Sequence, residues 1–340
     1  MNIKKLSQWF FKLVRLNNNP AVKLYAGFGN NTHCFVSGHA LARSPFDRKT
    51  HRNNFLYDTL SLLRLFMVKP IAAATLQMQW DDKTYCMEAE SDGFFTFEWQ
   101  PSKSLPPGRY TVQVDLIQKE SGSICASAQA SLTIFSKNQY SFISDIDDTF
   151  LVSHSAHLLK RLWVLLTKNP HSRRPFEGVV EYYQLLQSSN NEWVVNPFFY
   201  VSSSEWNLYA YIREFSKHNK LPDGVYFLSK IKQFKQLFKT GQTNHNTKFG
   251  RIEKLIQAFA DQKFVLLGDD SQQDPNIYAA IVAQYPCNIF CVYIRSSIQT
   301  HKPAVENTLK TIAETGTICY YFYHSADAIA HAKQIGLISE

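Results

Sequence analysis

From Tyr140 onward the chain repeats one rhythm, a short apolar run followed by a stretch with helical spacing. The runs fall at 141–146, 197–202, 225–228, 264–268, 289–294 and 318–322. Helix-like stretches lie near 176–189, 206–218, 248–261, 275–285 and 303–314. Near-continuous apolar runs between polar ends are what strands buried on both faces require. Parallel neighbours need a long crossover, normally a helix, so the alternation predicts a Rossmann-like parallel sheet with helices on both faces. Such sheets bind ligands at the carboxyl ends of their strands. Asp145 and Asp147, Ser202, and Asp269 with Asp270 all fall at such ends.

The preceding half has another pattern. Ala74, Leu76, Met78 and Trp80 alternate with Thr75, Gln77 and Gln79, which reads as a half-buried strand. Tyr85, Met87 and Ala89 alternate again, and Phe95, Phe97 and Trp99 share a face. Turn signals at Asp81-Asp82-Lys83, Ser91-Asp92-Gly93 and Pro106-Pro107-Gly108 separate these runs. Tyr110, Val112, Val114 and Leu116, then Ala126 to Ile134, continue the alternation. Short strands between turns predict a β-rich, sandwich-like unit over 20–138. Leu56, Leu60, Leu63 and Met67 have helical spacing and predict one helix within it.

A chain of 340 residues suggests two domains. Its 45% hydrophobic content is enough for real cores and excludes a disordered composition. The formal charge of +8 favours an anionic partner or substrate. Residues 1–60 hold nine Lys/Arg against two Asp, and 230–251 hold six with no acid. The six Cys are scattered without a CxxC, which fits free thiols in a reducing, cytoplasmic compartment. Cys287 and Cys291, four apart, read as core thiols on one face of a strand. No run reaches the ~20 apolar residues of a spanning helix. Residues 1–19 predict a basic amphipathic helix. Ile3, Leu6, Phe10, Leu13 and Val14 form its apolar face, set to dock on the next domain or lie on an anionic membrane surface.

The chemistry gathers in the second half. In an extended strand, residues i and i+2 point the same way, so Asp145 and Asp147 would sit side by side where a strand opens into a loop. Two like charges about 4 Å apart repel by roughly 4 kcal/mol at an effective dielectric of 20. A divalent cation or a shared proton offsets that cost. A plain polar turn would also produce the segment. Three further pieces follow in order: Tyr200-Val201-Ser202-Ser203-Ser204, Lys248 at a helix start, and Gly268-Asp269-Asp270 with Asp274. Taken singly, a capping serine, a solvated lysine and a turn-forming acid pair would explain them. Together they place acids, a hydroxyl and a lysine at the edges of successive βα units.

The order resembles the haloacid dehalogenase-like phosphohydrolase superfamily, with DxDxT at Asp145–Thr149, strand-end Ser202, Lys248, and GDxxxxD at Gly268–Asp274. More narrowly, it resembles the actin-patch type phosphatidate phosphatase catalytic domain family over about 139–296. Trp206, Tyr209, Ile277 and Tyr278 add to that likeness, as does Tyr25-Ala26-Gly27-Phe28-Gly29 in the first half. Ser203, Glu205 and Asp270-Ser271 depart from the family pattern around the second and fourth motifs, which bears on substrate preference rather than on the core acids.

The resemblance implies a catalytic domain over 139–340 and an Mg²⁺-dependent phosphomonoesterase acting on phosphatidic acid. Asp145 would be the nucleophile and form an aspartyl-phosphate. Asp147 would be the acid–base. Ser202 would hydrogen-bond the phosphoryl group and Lys248 would neutralise it. Asp145, Asp147, Asp269 and Asp274 would hold the metal. A soluble or protein phosphomonoester is the alternative substrate, and a catalytically silent membrane- or protein-binding module is the alternative from another class. The roughly fifty residues at 150–197 leave no room for a large cap beside their helix, which suits a bulky lipid phosphate. His154 and His157 read as surface or flap residues. Lys230, Lys232, Lys235 and Lys239 could face an anionic membrane, which gives two basic surfaces at 1–16 and 230–239. Ser202 lacks a Gly-x-Ser-x-Gly elbow, and no nucleic-acid module is recognisable.

Overall fold

The computed structural model describes residues 16–17, 19–45, 65–136, 140–146, 175–189, 195–231, 244–298 and 302–339. The amphipathic segment 1–15, Leu56, Leu60 and Leu63, His154 and His157, and Lys232, Lys235 and Lys239 lie outside these residues.

The second half forms a six-stranded sheet in the order β13-β12-β11-β14-β15-β16. These strands are β11 (Tyr140–Asp145), β12 (Phe198–Glu205), β13 (Gly224–Ser229), β14 (Lys263–Asp269), β15 (Ile289–Arg295) and β16 (Ile318–Phe322). Every pairing is parallel. The helices are α1 (Val179–Ser188), α2 (Tyr209–His218), α3 (Asn244–Ala258), α4 (Asp274–Gln284), α5 (Pro303–Ala313) and α6 (Ser325–Gln334). Alternation along the strands sends Phe142, Tyr200, Leu267 and Tyr293 to one face, where they meet α1, α2 and α6. Ile143, Phe199, Leu266 and Val292 go to the other, under α3, α4 and α5. Burial on both faces is why these strands read as unbroken apolar runs. The spatial order β12-β11-β14 puts the chain reversal beside β11, and that crevice is where ligands enter such sheets.

The first half is a ten-stranded hydrogen-bonded sheet. Its long members are β4 (Cys34–Pro45), β6 (Thr75–Trp80), β7 (Lys83–Glu88), β8 (Phe94–Trp99), β9 (Gly108–Ile117) and β10 (Ile124–Ile134), with shorter β1 (Leu16–Asn17), β2 (Ala21–Leu24), β3 (Gly27–Gly29) and β5 (Lys69–Pro70). β9 and β10 pair antiparallel over almost their full length. Inward residues of β4 and β8, such as Val36, Phe95 and Phe97, share one core with Leu76, Val114 and Leu132 from β6, β9 and β10.

The segment Tyr25–Gly29 stays in the ten-stranded sheet through β3, but its Tyr25 and Phe28 side chains pack into the cores on the two faces of the parallel sheet. Tyr25 stacks on Trp206 at 3.9 Å between ring centroids, and its hydroxyl contacts His39 Nδ1 at 2.8 Å. Phe28 packs edge-on against Phe199 and Phe227, with centroids 5.5 Å apart in each pair. The amide of Ala26 donates to the Tyr209 hydroxyl at 3.3 Å. The two halves therefore share aromatic packing along β12, from Phe199 near its start to Trp206 just past its end.

Four local readings differ from expectation. β12 runs on to Glu205 with a register break after Val201, so Ser202–Ser204 continue the strand rather than end it. α3 begins at Asn244, which places Lys248 in its second turn. Helix α6 was not legible in the pattern. Cys291 is buried in β15, whereas Cys287 is exposed and precedes the strand, so the two do not share a face.

Candidate active site

Asp145 closes β11 and Asp269 closes β14, the adjacent strand. Asp274 opens α4, where Pro275 at the start of the helix fits the first-turn backbone. These three acids are each 1% exposed, and one oxygen from each lies within 4.8 Å of the others. Lys248 projects from α3 into the group. Its Nζ donates to Asp145 Oδ1 at 2.8 Å and to Asp274 Oδ1. Burial penalises the ammonium, but the charges and hydrogen bonds of Asp145 and Asp274 outweigh that penalty and raise the Lys248 pKa above its ordinary value.

Gly268 makes this closeness possible. A Cβ there would stand 2.7 Å from Asp274 Oδ2 and 2.8 Å from a Tyr278 ring carbon. With hydrogen in its place, α4 closes onto β14, Tyr278 donates to the Leu267 carbonyl at 2.9 Å, and the Asp269 amide points at Asp274 Oδ2 at 3.4 Å. The Ser271 amide donates to Asp269 Oδ1 at 2.5 Å and fixes that carboxylate. On the far side of β11, Ser144 Oγ donates to the Asp145 carbonyl at 2.8 Å. The hydroxyl has one proton, so the Tyr183 hydroxyl, 2.8 Å away, donates to it in turn. Asp145 is thus held at its backbone as well as its carboxylate.

Among the described residues, three carboxylates share one ammonium in this buried space, an excess of acids over cations. Hard oxygen donors with that excess suit a divalent cation, so this donor set fits one. Asp147, read as the partner acid, lies outside the described residues together with Asp148 and Thr149.

Ser202 is buried one position beyond Val201, the register partner of Asp145. Its Oγ accepts the Ser204 amide at 2.9 Å, and its carbonyl accepts from Arg251 Nη1 at 2.9 Å. Arg251 lies one helical turn after Lys248 on α3, so a single helix face supplies both cations. Burial lowers the Arg251 pKa to about 10. Asp270 points elsewhere. It accepts from Tyr321 at 2.6 Å, the Ser297 amide at 2.9 Å and Ser296 Oγ at 3.2 Å, and pairs with Lys302 at 3.2 Å. It fastens the loop after β14 to β15 and β16 and is not part of the acid cluster. Sequence reasoning singled out Asp145, Lys248, Asp269 and Asp274, which the fold brings together. Tyr183 and Arg251 were missed, although the four-residue motif Lys248-Phe249-Gly250-Arg251 on a helix is a usable signal for the second.

A parallel α/β domain with buried acids and a lysine at its strand ends defines the class. Residues 140–296 match the family described as phosphatidate phosphatase APP1, catalytic domain. Among curated proteins, the chain is 29% identical to phosphatidate phosphatase APP1 of Saccharomyces cerevisiae over 51% of its own length and 29% of that protein. It is 23% identical to the uncharacterized protein C29B5.04c of Schizosaccharomyces pombe, over 60% of this chain and 33% of that one. The chain thus spans about a third of the length of these relatives. Among solved structures, a carbohydrate acetylesterase from Xanthomonas citri overlaps 93% of this chain and 75% of its own at 10% identity, with a TM-score of only 0.35, too low to bear on function.

Proposed function

We propose that this protein is an Mg²⁺-dependent phosphomonoesterase of the haloacid dehalogenase-like type, acting on phosphatidic acid to give diacylglycerol and phosphate. The observation that carries the proposal is the buried cluster Asp145–Lys248–Asp269–Asp274, lying within a segment that matches a phosphatidate phosphatase catalytic family.

In this reading Asp145 attacks phosphorus through a carboxylate oxygen, and the ester oxygen leaves with the alcohol. An aspartyl-phosphate results, and water then cleaves its P–O bond. Asp147 gives a proton to the departing alkoxide and takes one from the attacking water. Asp145, Asp269 and Asp274, with Asp147, would hold the cation. When bound, the cation would neutralise phosphate oxygens and offset the charge of the acids. Lys248, fixed by two carboxylates, keeps a positive charge beside the nucleophile as negative charge builds on the phosphoryl group. Ser202 would bind a phosphoryl oxygen from the β12 side. The Ser144–Tyr183 pair keeps the end of β11 in place.

No helix among the described residues is long and apolar enough to cross a membrane. A lipid substrate would therefore be met from the surface, with the basic segments 1–16 and 230–239 as the proposed contact and the cytoplasm as the proposed site. Of the second segment, Lys230 is described, and it faces Glu90 at 3.4 Å. The test is phosphate release from phosphatidic acid in mixed micelles, against soluble phosphomonoesters, with and without Mg²⁺. Release from the lipid that requires Mg²⁺ supports the proposal. Faster turnover of soluble esters overturns the lipid assignment, and release that survives chelation overturns the metal requirement.

A further inference from the structure

Arg295 ends β15, and its register partner on the neighbouring strand is Asp269. At about 4.8 Å per strand it stands one strand from Asp269 and two from Asp145, at the same carboxyl edge of the sheet. Its guanidinium carbon lies 3.5 Å above the centroid of Phe176. It lines a small cleft with Tyr183, Gly268, Tyr293 and Phe322, so the walls are mostly apolar. The side chain is half-buried, and its Nε is buried with no hydrogen-bond partner. Among the described residues it forms no ion pair.

Among the described residues, the other buried or half-buried cations near this edge are engaged. Lys248 serves two carboxylates, Lys302 pairs with Asp270, and Arg251 donates to Ser202 and Ser229. A buried donor without a partner is costly, and burial lowers the Arg295 pKa against the opposing influence of Tyr183, Tyr323 and Asp269. The stack on Phe176 and the apolar walls hold the fork in one orientation with few waters to compete for it. A phosphomonoester would add up to two negative charges to a site whose lysine is already committed. A planar guanidinium offers a bidentate match to phosphate oxygens.

We propose that Arg295 is a substrate-binding residue that holds anionic oxygens of the phosphomonoester from the β15 side of the acid cluster. This inference rests on the phosphomonoesterase reading. Inorganic phosphate is the probe. Its inhibition of ester hydrolysis by the full chain is measured with Mg²⁺ for wild type, Arg295→Gln and Arg295→Lys, and its binding to each is followed by calorimetry. Arg295→Gln should weaken phosphate inhibition and raise KM by about tenfold or more, as loss of a charge-assisted contact predicts, with Arg295→Lys recovering part of the loss. The thermal midpoint of each variant is read alongside, because Arg295→Gln also gives up the stack on Phe176. Phosphate inhibition and binding within about twofold of wild type would overturn the inference. So would a fall in midpoint with phosphate binding intact, the mark of a brace on Phe176. If wild type hydrolyses no phosphomonoester, the functional reading fails by itself, and calorimetry of wild type against Arg295→Gln still decides whether Arg295 binds phosphate.

Discussion

Lys248→Met separates the two jobs of the buried lysine. Methionine keeps most of the unbranched stem and removes the charge. At 2.8 Å and an effective dielectric of 20, the Lys248–Asp145 attraction alone amounts to about 6 kcal/mol gross. Desolvation offsets much of this, yet removing one partner of a buried pair costs about 3–5 kcal/mol, because a charge is left stranded. Here Asp145 and Asp274 both lose their cation, with Asp269 close by, so the upper half of that range applies. The assay is urea unfolding at neutral pH, first with chelator and then with excess Mg²⁺. With chelator, Lys248→Met should lose about 4 kcal/mol relative to wild type. With Mg²⁺ the gap should narrow, since the cation offsets the charge the lysine no longer does. The folded pKa of Lys248 is raised above its ordinary 10.5. Its contribution is therefore complete below that value and is lost only as pH rises through the higher folded pKa, so the gap should not change between about pH 6 and 9. A loss under about 1 kcal/mol with chelator would refute the reasoning, as would a gap that Mg²⁺ leaves unchanged.

Three further outcomes follow from named contacts. Gly268→Ala puts a methyl against Asp274 and Tyr278 and should cost about 1–3 kcal/mol by thermal unfolding, with phosphate release falling further than stability accounts for. Asp270→Asn should cost about 2–3 kcal/mol above pH 5 through weakened charge-assisted bonds. Burial acts to raise the Asp270 pKa, but its hydrogen bonds from Ser297, Tyr321 and Lys302 lower it overall, so the advantage of wild type should shrink as pH falls below about 4, read from unfolding midpoints across pH. Burial lowers the His39 pKa from 6.5 to about 3, so wild-type stability is full above 6.5 and erodes as pH falls from there toward 3. His39→Gln should remove that part of the acid sensitivity while lowering stability at pH 7, again by unfolding midpoints.

The parallel sheet was legible because strands buried on both faces leave unbroken apolar runs, as in Phe264–Leu267. The acids were legible because the strand ends are fixed points and Asp145, Asp269 and Asp274 follow them closely. Helix α6 escaped because its buried positions are Ser325, Ala328 and Ala332, too small to mark a face. The extension of β12 escaped because three successive serines carry no strand signal. The reach of Tyr25 and Phe28 into the other half escaped for a different reason: a contact between segments far apart in sequence leaves no local period. Tyr183 belongs with these. Its ring reads as core in α1, and only the fold places its hydroxyl on Ser144.

The central claim is that Asp145 is the group that attacks phosphorus. Asp145→Asn keeps the shape of the side chain and its contact distance to Lys248, and removes the charge and nucleophile. Initial rates of phosphate release from phosphatidic acid micelles with Mg²⁺ test it directly. The account predicts a loss of at least about a thousandfold, beyond what loss of a single stabilising contact gives, in a protein that still folds cooperatively. Release by Asp145→Asn at the wild-type rate would contradict it.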